Sequence, residues 1–159
     1  MNRPTQGRAG GAAPVLHTRI WLRMLACFNL VERELRSSLR DEFGVSLARF
    51  DVLAQVARPP AEPTMGELSR RLKVTKGNIT DVVGRLEADG LVERRRDPHD
   101  ARTQRVRLSA RGRRLVQAAI PVHNARLTEL LAALDADELA TLDALLGRLR
   151  ASLRETLGA

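Results

Sequence analysis

Cysteine is reduced to one residue in this 159-residue sequence, tyrosine is missing, and lysine occurs only at positions 73 and 76. A lone Cys27 cannot close an intramolecular disulfide, which excludes a disulfide-stapled scaffold. With only His17, His99 and His123 scattered along the chain beside that thiol, no metal-ligand spacing exists. No glycine loop of the phosphate-cradling kind is present. Catalysis, a metal and a cofactor are therefore not expected. No apolar run approaches the ~20 residues that cross a bilayer. The N-terminus lacks the charged and apolar regions of a secretory signal. The expectation is a cytoplasmic protein with no membrane partner.

Hydrophobic residues make up 43% and charged residues 29%, enough apolar surface to offset chain entropy over one domain with helical extensions. The formal charge is +8, and 25 of the 27 basic residues are arginine. That skew reads as genome-wide codon bias, so the position of positive charge says more than any single Arg. Residues 1–57 carry +3, residues 58–114 carry 15 basic against 8 acidic side chains (+7), and residues 115–159 carry −2. The middle of the chain is the part suited to an anionic partner such as nucleic acid.

Residues 1–14 are Gly- and Pro-rich without periodicity and read as a flexible arm. From Val15 onward Leu16, Ile20, Leu25, Phe28, Val31, Leu35 and Leu39 recur at helical intervals until Gly44, which predicts one long helix. A second helix is predicted over Ala48–Arg58, ended by Pro59-Pro60. Thr64 and Glu67 form a capping box for a helix over Met65–Leu72. After a turn at Lys73-Val74, Thr75 caps a further helix with Ile79, Val82, Val83 and Leu86 on its buried stripe and Gly90 as its stop. Leu91–Arg95 and Arg105–Leu108 alternate as strands about a tip containing Asp97-Pro98-His99-Asp100.

Ser109 caps a helix expected to reach Leu134, with Pro121 kinking it. Asp135 and Glu138 begin a last helix whose leucines, from Leu139 to Leu153, make a face too apolar to leave in water. The reading is a mainly α chain with a small β-hairpin wing: a winged helix-turn-helix over residues 48–109, flanked by a helical dimerisation layer from residues 15–47 and 110–159.

Three stretches carry a resemblance to the MarR (multiple antibiotic resistance regulator) family: MGELSRRLKVTKGNITDVVGRLEADGLVER, DPHDAR at the wing tip, and VRLSARG at the strand return. Within the second lies the family's Asp-x-Arg, as Asp100-Ala101-Arg102. The family's Leu-Thr-x-x-Gly appears as Leu108-Ser109-Ala110-Arg111-Gly112, with Ser in place of Thr. The resemblance implies a homodimeric regulator, a repressor by expectation, gripping a pseudopalindromic double-stranded DNA site and released by a small effector, often an aromatic acid.

The residues agree with that implication on physical grounds. A recognition helix needs short polar or basic side chains near its N-terminus, and Thr75, Lys76, Gly77, Asn78, Thr80 and Asp81 supply them. Lys76 and the helix N-terminus suit phosphate, Asn78 suits an adenine edge, and Gly77 permits close approach. Arg85 suits backbone. For Thr75, Asn78 and Asp81, simple helix capping is the competing role. At the wing Arg102 suits the narrow minor groove with Asp100 holding its guanidinium, and Arg94, Arg95 and Arg96 suit phosphates or a merely solvated face.

His17, Trp21, Leu25 and Phe28 follow one another along the first helix and suit either an effector pocket or a dimer core. Arg19 and Arg23 are candidate carboxylate partners there, and His123 with Asn124 a candidate opposite wall. Some relatives sense peroxide through a thiol on the first helix. The resemblance places such a thiol near Leu22 and pairs it with tyrosines, so Cys27 reads more simply as a buried inert thiol. Redox sensing and a winged-helix protein-interaction module without DNA readout stand as alternative functions.

Overall fold

The computed structural model describes residues 12–60, 62–100 and 102–158. Six helices and one hairpin follow in the order α1 (Ala12–Phe43), α2 (Leu47–Ala57), α3 (Met65–Leu72), α4 (Lys76–Ala88), β1 (Val92–Arg96), β2 (Gln104–Leu108), α5 (Ala110–Leu130) and α6 (Ala136–Leu157). The α1 helix starts at Ala12, so the last three residues of the expected arm are helical, and residues 1–11 of that arm lie outside the described residues.

Each helix boundary has a local cause. Gly44 ends α1 with φ +65, a conformation that lets its amide reach the Arg40 carbonyl. The Ser46 hydroxyl accepts the Arg49 amide and starts α2. Thr64 and Glu67 form a reciprocal capping box at α3, with the Thr64 amide donating to Glu67 Oε2 at 2.7 Å and the Glu67 amide to Thr64 Oγ1 at 3.1 Å. Lys73, in the left-handed region, turns the chain into α4. Ser109 caps α5 by accepting the Gly112 amide at 2.9 Å, while its own hydroxyl donates to the Gly90 carbonyl at 2.6 Å. The same helix passes through Pro121 and stops at Leu130, a turn earlier than the periodicity predicts, because residues 131–134 form turns before the Asp135 capping box opens α6.

The strands pair antiparallel with Val92 opposite Leu108 and Arg96 opposite Gln104. On its other edge β2 takes the segment before α3, through the Val106 amide on the Pro63 carbonyl at 2.9 Å and a bridge between Thr64 and Arg105. The wing is thus sewn to the segment before α3 by main chain along the free edge of β2.

Contacts divide the chain into two units, one reaching His123 and the other beginning at Asn124. In the first unit one core gathers Leu53, Leu68, Ile79, Val83, Leu86 and Val106, and a second cluster joins Leu39, Val45, Phe50 and Ala119. Residues 15–30 of α1 are exposed throughout, including Trp21 and Phe28. In the second unit Leu142, Leu145, Leu146, Leu149 and Leu153 of α6 are exposed as well. Helical periodicity set these stripes, and the described residues leave them uncovered.

Gly112 is buried where the start of α5 meets the main chain at Leu91, and a β-carbon there would stand 2.0 Å from the Leu91 carbonyl oxygen. Main chain cannot yield at such a contact without moving α5. Gly112→Ala is expected to destabilise the protein by about 3 kcal/mol, an overpacking penalty, read as a lower urea midpoint with unchanged slope; an unaltered midpoint would disprove the contact.

Candidate nucleic-acid interface

One face of α4 is buried and the other has no neighbour among the described residues. Ile79, Val83 and Leu86 are sealed in the core, while Lys76, Gly77, Asn78, Thr80 and Asp81 are exposed. A β-carbon on Gly77 would meet nothing within 4 Å, so its small size answers no demand from within the chain. Thr75 is the cap: its hydroxyl accepts the Asn78 amide at 3.3 Å. The Thr80 hydroxyl donates back to the Lys76 carbonyl at 2.8 Å. Asn78 contributes only its main chain to the cap, and its side-chain amide makes no hydrogen bond among the described residues. Asp81 lies 3.7 Å from Arg85, both about three-quarters exposed, an ion pair worth about 0–1 kcal/mol that opposing charges on a ligand would readily replace.

Three ties fix the helix that carries this face. Arg49 of α2 pairs with Asp89, which ends α4. Arg111 of α5 donates to the Asp89 carbonyl at 3.0 Å. Arg94 of β1 pairs with Glu87 at 3.3 Å and reaches the Thr80 carbonyl at 3.5 Å. The last tie differs from the expected phosphate contact or solvated face: the Arg94 guanidinium turns inward and braces the wing against α4. Arg95 and Arg96 do point to solvent, with Arg95 only 4.0 Å from Glu93.

The wing tip is organised by a residue that pattern reasoning passed over. Asp97 is buried; its Oδ1 accepts the amides of His99 at 2.8 Å and Asp100 at 3.2 Å, and its Oδ2 accepts Arg105 Nε at 2.5 Å. Arg105 also donates to the Glu62 carbonyl at 3.0 Å, tying the tip to the loop before α3. These bonds, the His99 amide first and the Arg105 guanidinium second, hold the Asp97 carboxyl below its ordinary pKa. The legible signal was Asp followed by a turn dipeptide and a second Asp, the spacing of a side chain that bonds amides two and three residues on.

Asp100 does not clamp Arg102 through its guanidinium. Its carboxylate accepts the Arg102 amide at 3.0 Å and the Thr103 hydroxyl at 2.9 Å, so it shapes the turn, and the Arg102 side chain stands exposed at the tip. A carboxylate within reach of main-chain donors satisfies those first, because they are fixed in place.

The remaining expected residues separate. His123 rests on Phe50, ring centroids 4.9 Å apart, within the α2–α5 contact. His17, Trp21, Arg23, Leu25 and Phe28 lie on the exposed half of α1, so no pocket among the described residues joins them to His123. Arg19 and Arg23 line a shallow groove on α1 with Val15, Leu22 and Ala26. Cys27 is exposed, contrary to the expectation of a buried thiol, because none of the described residues covers that half of α1. Among the described residues no group of three or more His, Cys, Asp or Glu side chains could hold a metal, and no helix is long and apolar enough to cross a membrane.

A helix-turn-helix whose second helix is open along one face, braced against a hairpin with an ordered basic tip, defines a winged helix-turn-helix protein. Comparison with known proteins bears on which kind. The MarR family model matches residues 43–103. A MarR family transcriptional regulator from Silicibacter pomeroyi is 35% identical, the match covering 91% of this chain and 99% of that one with a TM-score of 0.76. Mutant MarR from E. coli, solved in complex with operator DNA, is 30% identical over 82% of this chain and 93% of its own, again with a TM-score of 0.76. The transcriptional activatory protein BadR of Rhodopseudomonas palustris is 30% identical over 113 residues, 70% of this chain, and the match spans 64% of BadR's own length. The chain belongs to the MarR family.

Asp97→Asn keeps the size of the side chain and removes its charge, and is expected to loosen the tip, seen as faster hydrogen exchange at the His99 and Asp100 amides with α4 unaffected. Folding lowers this carboxyl's pKa, so its stabilisation is whole above 3.8, the ordinary value, and is lost as the pH falls through the folded-state value. Protection of the tip amides, taken relative to their intrinsic exchange rate, that does not fall in strong acid would contradict the assignment.

Proposed function

We propose that this protein is a sequence-specific, DNA-binding transcriptional regulator that works as a homodimer. The observation carrying this reading is the open N-terminal face of α4 set beside the Asp97-ordered tip, with Lys76, Asn78 and Arg102 all exposed. Lys76 and the α4 N-terminus are suited to phosphate, Asn78 to a base edge in the major groove, and Arg102 to the minor groove alongside. The relative solved on operator DNA supports the same use of this architecture.

Dimerisation is supported by the uncovered apolar stripes of α1 and α6, which a second copy would bury. Two-fold symmetry then asks for a pseudopalindrome with half-sites about 10 bp apart, one helical turn. Repression with release by a small organic acid is the mode we adopt; a relative named as an activatory protein makes activation the contrary outcome. A ligand releases DNA only if it binds the two dimer shapes with different affinity. Cys27 favours a second reading, thiol-based sensing, by one observation: it is exposed.

Gel-shift titration with DNA upstream of the protein's own gene against a scrambled duplex tests the core of the reading, at low and near-physiological salt. Preferential binding of one dimer per site supports it; equal weak binding to both duplexes would turn the interpretation toward a protein-interaction module. Peroxide added to the same assay, with Cys27→Ser as control, separates the thiol reading. Arg102→Ala is expected to weaken binding to every duplex and lower the salt slope by roughly one unit. Asn78→Ala is expected to relax discrimination at one base pair by about 1–3 kcal/mol, and unchanged specificity in a panel of single-base variants would reduce Asn78 to a structural role.

A further inference from the structure

The open face of α4 carries an acid at the point where an anionic partner would press closest. Each residue turns a helix by about 100°, so Asp81, two residues from both Ile79 and Val83, stands on the side opposite that buried pair. Its side chain is about three-quarters exposed. One turn earlier on the same side is Gly77, where a β-carbon would meet nothing within 4 Å, and one turn later is the exposed Arg85.

No duty within the chain accounts for this carboxylate. Thr75 caps the helix, with its hydroxyl accepting the Asn78 amide at 3.3 Å, and Asp81 lies past the first turn. Its partner among the described residues is Arg85, at an ion-pair distance of 3.7 Å and without a hydrogen bond. In a segment of net charge +7, a negative group at the middle of the face offered to DNA is repelled by any base edge that presents acceptors alone. It gains only where an N–H donor meets it. In the major groove guanine presents N7 and O6, and thymine presents O4 and a methyl group. Adenine N6 donates, but it lies between its own N7 and the O4 of the paired thymine. Cytosine N4 has an acceptor, the guanine O6, on one side only, which makes it the donor a carboxylate approaches with least repulsion.

We propose that Asp81 is a specificity-determining residue, its carboxylate accepting a hydrogen bond from the N4 amine of a cytosine and repelling sites that lack one at that position. Gly77 lets the helix approach until so short a side chain reaches the base edge, and Arg85 offsets the charge beside it. The assignment rests on the DNA-binding reading and adds to it a residue of opposite effect. Lys76 and Arg102 strengthen binding to every duplex, whereas Asp81 weakens binding to all but the matching ones.

The test is selection from a randomised double-stranded DNA library by the full-length protein and by its Asp81→Ala variant, followed by affinity measurements on the selected duplex and a scrambled one. The unaltered protein is expected to enrich sites with a fixed cytosine in each half. Asp81→Ala, a change at an exposed position, should lose that preference and bind the scrambled duplex at least about threefold tighter. Replacing the fixed cytosine by 2-pyrimidinone, which keeps the ring and lacks the amine, should weaken the unaltered protein at least about fivefold more than the variant. A fixed cytosine retained by Asp81→Ala, scrambled-duplex affinity unchanged in that variant, or equal losses by both proteins on the amine-free duplex would each overturn the proposal and leave the regulator reading standing. Enrichment of no sequence by the unaltered protein would remove the regulator reading and this assignment with it.

Discussion

Burial of Ile79, Val83 and Leu86 against Leu53, Leu68 and Val106 is the constraint on which the rest depends. A thirteen-residue helix is marginal by itself in water. It persists because one stripe is removed from solvent, at about 1.5–3 kcal/mol for each large aliphatic side chain. Sealing that stripe turns the opposite side, from Lys76 to Asp81, outward and fixes its orientation with no polar residue on that side having to help. The same core holds Val92 and Val106, so the wing and α4 share one foundation.

Arginine does two kinds of work here. Arg49, Arg94, Arg105, Arg107 and Arg111 are bonded to carboxylates or carbonyls of neighbouring elements and act as struts. Arg95, Arg96 and Arg102 face water around the tip. The central +7 already subtracts those carboxylates, so the pairing decides which arginines carry the excess and leaves it on side chains such as Arg95, Arg96 and Arg102. Part-buried struts such as Arg94, about a quarter exposed, keep more of their electrostatic worth than surface pairs, which salt screens.

Membership of the MarR family agrees with the two features that the single chain leaves unsatisfied. One is the polar face of α4, where Gly77 has no internal reason to be small. The other is the pair of apolar stripes on α1 and α6, whose leucines meet water. Exposed apolar stretches of this extent are uncommon on monomers.

Most elements could be read before any coordinates, because their causes are local. The Thr64–Glu67 and Asp135–Glu138 boxes, the Thr75 and Ser109 caps and the Gly44 and Gly90 stops each need only neighbours in the chain, and each operates as its spacing predicts. The exposed set on α4 was legible for the same reason, since a helical period tells which side is buried. What only the tertiary structure decided are partnerships across sequence distance: Arg94 with Glu87, Asp97 with Arg105 and its own loop amides, and Asp100 with main chain instead of the Arg102 guanidinium. A run of arginines looks the same in a sequence whether its members are struts or contacts. Which acceptor lies within about 3 Å of each guanidinium is set by how helices and strands pack, and a periodic pattern carries no information about that.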